Sequence, residues 1–164
     1  MLKKGWMSEE EYRFVTSKTP IPTVDLVVLR EGQKGWEVLL LVRKTGYGKG
    51  MWCIISGRIL KNEAISDAMK RQADDLGVKV KIIPPFDYNF PALLNDHLKQ
   101  DKTKHSICSV YPVKIAEGNL KEEGEEYKGF KWFPVNELPN LAFDHEFEIV
   151  KIVKRLEKYA KQKI

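Results

Sequence analysis

The stretch Gly57-Arg58-Ile59-Leu60-Lys61-Asn62-Glu63-Ala64-Ile65-Ser66-Asp67-Ala68-Met69-Lys70-Arg71-Gln72-Ala73-Asp74-Asp75-Leu76-Gly77 decides how this chain is read. Its second half carries Ile65, Ala68, Met69, Ala73 and Leu76 at helical spacing, one apolar stripe that predicts a helix. Gly77 falls just past its end, where a left-handed residue closes a helix. Asp67, Arg71, Asp74 and Asp75 sit at offsets that place several of them on one polar face. Helix carboxylates are most often a solvated face. Following a glycine loop at this spacing, they read instead as ligands for a hard cation. Magnesium takes carboxylate and carbonyl oxygens and keeps several waters. Asp75, Asp74 and a loop carbonyl of Ser56 or Gly57 are the candidates. A late-loop carboxylate, Glu126 or one of Glu122, Glu123 and Glu125, is a further candidate ligand.

Upstream, Met51 to Ile55 reads as a strand behind Thr45 to Gly50, which holds three glycines in six residues and must turn tightly or move. Val24 to Arg30 and Trp36 to Arg43 read as a strand pair joined by a turn at Glu31 to Gly35. Ser8 and Glu11 have the spacing of a capping box, so a short helix runs to about Ser17, stopped by Pro20 and Pro22. Downstream, Val78 to Ile83 alternates as a strand, residues 86 to 103 are hard to read beyond a strand fragment and a long loop, and His105 to Ile115 is a strand. Gly118 to Gly129 is an acidic loop and Phe130 to Pro134 a short strand. Asp144 is placed to cap a final helix with Ile149, Ile152, Val153, Leu156, Tyr159 and Ala160 on its apolar face. Strands with one central and one closing helix predict an α/β chain, an α/β/α sandwich around a mixed sheet, in a single domain over residues 1–164.

Composition sets bounds on function. With 164 residues, 43% hydrophobic and 31% charged, the chain suits one globular core and excludes disordered and fibrous classes. A net charge of +5 suits an anionic small molecule. The basic residues are dispersed and form no nucleic-acid motif, so no nucleic-acid partner is expected. No apolar run has the length of a bilayer span. The first seven residues lack an apolar core, so a cytoplasmic setting without a membrane partner is expected. Cys53 and Cys108 lie in apolar strands and read as buried free thiols.

Gly57, Glu63, Arg71, Asp74, Asp75 and Gly77 together resemble the Nudix box. Five residues separate Gly57 from Glu63 and seven separate Glu63 from Arg71, as in that family. Trp132-Phe133-Pro134-Val135-Asn136-Glu137-Leu138 resembles a second family feature. The resemblance implies the Nudix fold and divalent-metal hydrolysis, with Gly57, Glu63 and Arg71 as structural box residues and Glu63 anchoring loop to helix. The chain departs from the box in two ways. Arg71 to Gly77 is one residue short, and the Glu after the box Arg is replaced by Gln72 or by Arg71, depending on which end is the anchor.

The N-terminal half resembles the GDP-mannose mannosyl hydrolase branch, through Phe14 to Pro20, Asp25, Arg43-Lys44-Thr45, Gly50-Met51-Trp52 and Gly57-Arg58. That resemblance implies a nucleoside diphosphate sugar as substrate, contacted by Asp25, Arg43 and Arg58, with Mg2+ or Mn2+ and attack by water at the sugar carbon. The arginines suit the role physically, since a guanidinium fork matches phosphate oxygens and keeps its charge. Surface ion pairs would explain them equally simply, whereas Asp25 in an apolar strand needs a buried partner. Tyr127 stands where the branch has its catalytic His, and Ser106 where it has a Tyr. Glu126 heads the candidates for the general base, ahead of Glu125, Glu123 and His105; Arg58 is the other catalytic candidate. His97 falls in the unreadable stretch and His145 reads as a surface residue. The branch, with the apolar Trp6, Tyr12 and Phe14, implies a homodimer. Two rival functions stay open: pyrophosphatase attack at phosphorus, as on ADP-ribose, and a non-catalytic nucleotide-binding module.

Overall fold

The computed structural model describes residues 5–96 and 104–162. His97 lies outside them. The elements in chain order are α1 (Glu9–Thr16), β1 (Ile21–Gly32), β2 (Gly35–Arg43), β3 (Trp52–Cys53), β4 (Ile55–Arg58), α2 (Ile65–Asp75), β5 (Val78–Ile82), β6 (Leu93–Asp96), β7 (Ser106–Gly118), β8 (Tyr127–Pro134) and α3 (His145–Lys161). Strand β1 organises the sheet. It runs parallel to β7, Ile21 to Val28 matching Ser106 to Val113. It is antiparallel to β4 at one end and to β2 at the other. β2 also carries β3 and β8, and β7 carries β5 and β6.

Alternation along β1 divides the interior. Val24, Leu26 and Val28 face the core under α2, with Ala68, Met69, Ala73 and Leu76. Val27 and Leu29 face the opposite core under α3, with Ile149, Ile152, Val153 and Leu156. Helices therefore cover both faces of a mixed sheet, the α/β/α sandwich expected from the pattern. The Ser8 capping box forms in full at α1. Gly77 adopts φ +79° just past α2, the conformation its position requires. No described helix is long and apolar enough to cross a membrane.

Several details differ from the sequence reading; among them, Tyr159 and Ala160, expected on the apolar face of α3, are exposed. The strand expected over Met51 to Ile55 breaks at Ile54, because β3 pairs with β2 and β4 with β1. The Ile54 N–H leaves the ladder and donates to His145 Nδ1 at 3.3 Å. His145 is accordingly buried, 1% exposed, and not a surface residue. Asp144 is at the N-cap of α3 but its side chain makes no capping bond, since its backbone is not extended there. Finally, β8 begins at Tyr127, three residues before the expected start, so the acidic loop spans residues 119–126. Cys53 and Cys108 are buried and free, as expected.

Candidate active site

The loop after β4 enters α2 under tight control from its own side chains. Arg71 Nε and Nη2 donate to the two Glu63 oxygens at 2.7 and 2.9 Å, and Nη2 also donates to the Arg58 carbonyl at 2.8 Å. Glu63 Oε2 accepts the Leu60 N–H at 2.8 Å. The Arg71 guanidinium holds the Glu63 carboxyl below its ordinary range, against the opposing effect of burial. Arg71 is thus the fixed point of the stretch, and Gln72 occupies the position after it. Gln72 is 8% exposed; its Nε2 donates to the Gly57 carbonyl at 3.2 Å, and its Oε1 accepts no hydrogen bond among the described residues.

These elements form one wall of a cleft of about 670 Å³. Asp25, Arg43, Ser56, Gly57, Arg58, Arg71, Asp74, Asp75 and Glu126 all line it; Glu63 is not among its lining residues. Sequence reasoning therefore named residues from four separate elements and a loop that the fold gathers into one place. Asp25 is fully buried and accepts from Ser56 Oγ at 2.6 Å. The Arg58 guanidinium lies 4.6 Å from the Tyr12 ring centre and 5.0 Å from that of Trp6. Stacking covers a guanidinium face and leaves its in-plane N–H donors usable. Arg43 Nε donates to the Tyr47 carbonyl at 2.8 Å, with its guanidinium 5.2 Å from the Phe143 ring centre.

The acidic loop is pinned against α2. The Glu125 N–H donates to Asp75 Oδ2 at 3.2 Å, the Lys44 N–H to the Glu126 carbonyl at 2.8 Å, and Lys44 Nζ forms an ion pair with Glu123. Gly124 permits this closeness, since a Cβ there would overlap the Tyr127 ring and the Asp75 carboxylate. Tyr127 donates its hydroxyl to the Asp75 carbonyl at 3.1 Å. Burial, with Asp75 adding to it, pushes that phenol up to about 12, so it stays a neutral donor and cannot act as a base at neutral pH. His105 pairs with Asp96 at 2.6 Å and is not part of the cleft wall. With Glu123 tied to Lys44, Glu125 and Glu126 are the base candidates that line the cleft.

Sequence reasoning missed His145 in the cleft and Glu148 one turn further along α3, both wholly buried. A signal was present. Residues 145 and 148 share the helical phase of Ile149, Ile152, Val153 and Leu156, so two polar residues occupy an apolar stripe.

The family described as NUDIX domain matches residues 19–156. Over 117 residues the chain is 29% identical to the low-salt glycan biosynthesis protein Agl8 of Haloferax volcanii, covering 69% of this chain and 70% of that protein. Over 129 residues it is 29% identical to an ADP-ribose pyrophosphatase of Methanocaldococcus jannaschii, covering 77% and 69%. Among solved structures, the NUDIX domain of Shewanella oneidensis NrtR with ADP ribose superposes with a TM-score of 0.66 at 24% identity, over 92% of this chain and 99% of that one. A UDP-X diphosphatase gives 0.69 at 17%, over 93% and 73%. At these identities the two structures bear on the fold alone.

Proposed function

The chain belongs to the NUDIX domain family and is a Nudix hydrolase, and on that premise we propose that it cleaves a nucleoside diphosphate sugar with Mg2+ or Mn2+. The observation that carries the reading is the cleft in which Arg43 and Arg58 share the walls with Asp74, Asp75 and Glu126. Cations for a diphosphate and carboxylates for a metal are there together.

By donor type, this set suits a hard divalent ion. Asp75, Asp74 and the Gly57 or Ser56 carbonyl supply oxygen, and the buried Gln72 Oε1 beside Gly57 is a neutral oxygen with unused acceptor capacity. When bound, such an ion neutralises and orients a diphosphate. Arg43 and Arg58 hold phosphate oxygens in this reading, and Asp25, on the floor, meets the sugar side. Glu126 takes the proton of the attacking water, so it is not also an inner ligand at that moment. Attack at the sugar carbon follows from the resemblance in Asp25, Arg43 and Arg58. The similarity to an ADP-ribose pyrophosphatase favours a second reading, attack at phosphorus.

Turnover of a nucleoside diphosphate sugar panel with magnesium or manganese tests the proposal, with Asp75→Asn as the control that loses it. Nucleotide binding with no turnover by the wild-type protein would replace the hydrolase with a binding module. The same resemblance carries a homodimer, with Phe14, 66% exposed, on its surface. A monomer mass by light scattering at micromolar concentration would remove it.

A further inference from the structure

The core under α3 contains a polar island. Val27, Leu29, Val38, Leu40, Val110, Ile149 and Ile152 are all essentially inaccessible, yet Asp25, Cys108 and Glu148 are buried among them to 2% exposure or less. They come from β1, β7 and α3, and one ligand atom from each lies within 4.8 Å of the other two. Two carboxylates and a thiol gathered at that separation make a donor set for a divalent cation.

We propose that Asp25, Cys108 and Glu148 form a binding site for a borderline-soft divalent transition metal of the Zn2+ or Co2+ class, separate in chemistry from the hard-cation site at Asp75. Ligands around a tetrahedral zinc, at about 2.0–2.3 Å from the ion, lie about 3.5 Å from one another, which the observed cluster can meet. Each group is also oriented from outside the triangle. Ser56 Oγ donates to Asp25 Oδ1 at 2.6 Å, Thr23 Oγ1 to Cys108 Sγ at 2.8 Å, and Asn95 Nδ2 to Glu148 Oε1 at 2.9 Å. These donors come from β4, β1 and β6; with β7, which carries Cys108, four adjacent strands and α3 hold the set. Such outer hydrogen bonds fix the direction of metal ligands.

Asp25 and Cys108 are both among the residues that line the cleft, although each is almost inaccessible, so the cluster lies just beneath the cleft surface. The thiol supplies selectivity, because sulfur favours Zn2+ and Co2+ over Mg2+. Binding releases the Cys108 proton to solvent as the thiolate forms. The inference goes beyond the hydrolytic reading and does not depend on turnover.

Anaerobic Co2+ titration of the chelator-treated full chain tests it by absorbance. A thiolate-to-cobalt charge-transfer band saturating near one equivalent is expected, bleached by Zn2+ but not by excess Mg2+. The band persists in Asp75→Asn and disappears in Cys108→Ser. Cys53→Ala, which leaves Cys108 as the sole thiol of the chain, keeps the band and decides the matter should Cys108→Ser fail to fold. No sulfur band in the wild type or in Cys53→Ala overturns the site. A band that survives Cys108→Ser in a folded protein overturns it equally.

Discussion

Arg71 grips Glu63 with two donors across the turn that enters α2, and its Nη2 reaches on to the carbonyl of Arg58. One guanidinium therefore sets both the loop and the backbone of a proposed phosphate ligand. Glu63→Gln is expected to cost about 2 kcal/mol at pH 7, the scale of a charged hydrogen bond. The folded-state pKa of Glu63 is lowered. Its contribution is thus present above the ordinary carboxylate value and lost as pH falls through the lowered folded value. Urea unfolding of wild type and variant should show the gap closing in acid; a gap that is absent at pH 7, or constant into acid, contradicts the assignment.

Gln72 is the position where a carboxylate is missing from the resembled box. Gln72→Glu puts an acceptor against the Gly57 carbonyl in place of the Nε2 donor. Without metal the variant should unfold several degrees lower, a loss of about 1–3 kcal/mol for the broken buried contact. Added Mn2+ should recover that loss, because an ion that binds only the folded state stabilises it. Thermal unfolding with and without metal reads both effects. A variant whose loss is unaffected by Mn2+ would place the metal elsewhere.

Gly124 is sterically required where the acidic loop meets α2. Gly124→Ala forces Tyr127 or Asp75 to move and should cost about 1–3 kcal/mol, the range for overpacking. Mn2+ affinity should fall with it, since the added methyl crowds the Asp75 carboxylate. Calorimetric titration measures the affinity, and unchanged binding would detach Asp75 from the metal.

His145 takes the one backbone N–H that the break between β3 and β4 releases from the ladder. His145→Ala should cost at least about 1–3 kcal/mol for the unsatisfied buried donor, with a cavity in addition. Chemical denaturation checks this. A change under about 0.5 kcal/mol, the size of a surface substitution, would mean that Ile54 finds another acceptor.

What the sequence disclosed and what it hid follow from range. The α2 stripe, the Ser8 capping box and the Gly77 terminus depend on neighbours within a few residues, and each forms as expected. Asp25 announced itself by chemistry, a carboxylate inside an apolar strand. By contrast, the break at Ile54 depends on a histidine 91 residues away. Glu148 is buried because strands β1, β6 and β7 bring Asp25, Asn95 and Cys108 beneath it. Neither partner set is visible in a local window. The four residues of β6 exist as a strand only because β7 offers them a ladder.

The most direct measurement of the central claim is hydrolysis of a nucleoside diphosphate sugar in heavy-oxygen water with magnesium or manganese, products read by mass. The account predicts a nucleoside diphosphate and a free sugar, the label residing in the sugar. Label in a phosphate product would contradict attack at carbon and establish the pyrophosphatase reading, while intact substrate throughout would contradict hydrolysis of this class.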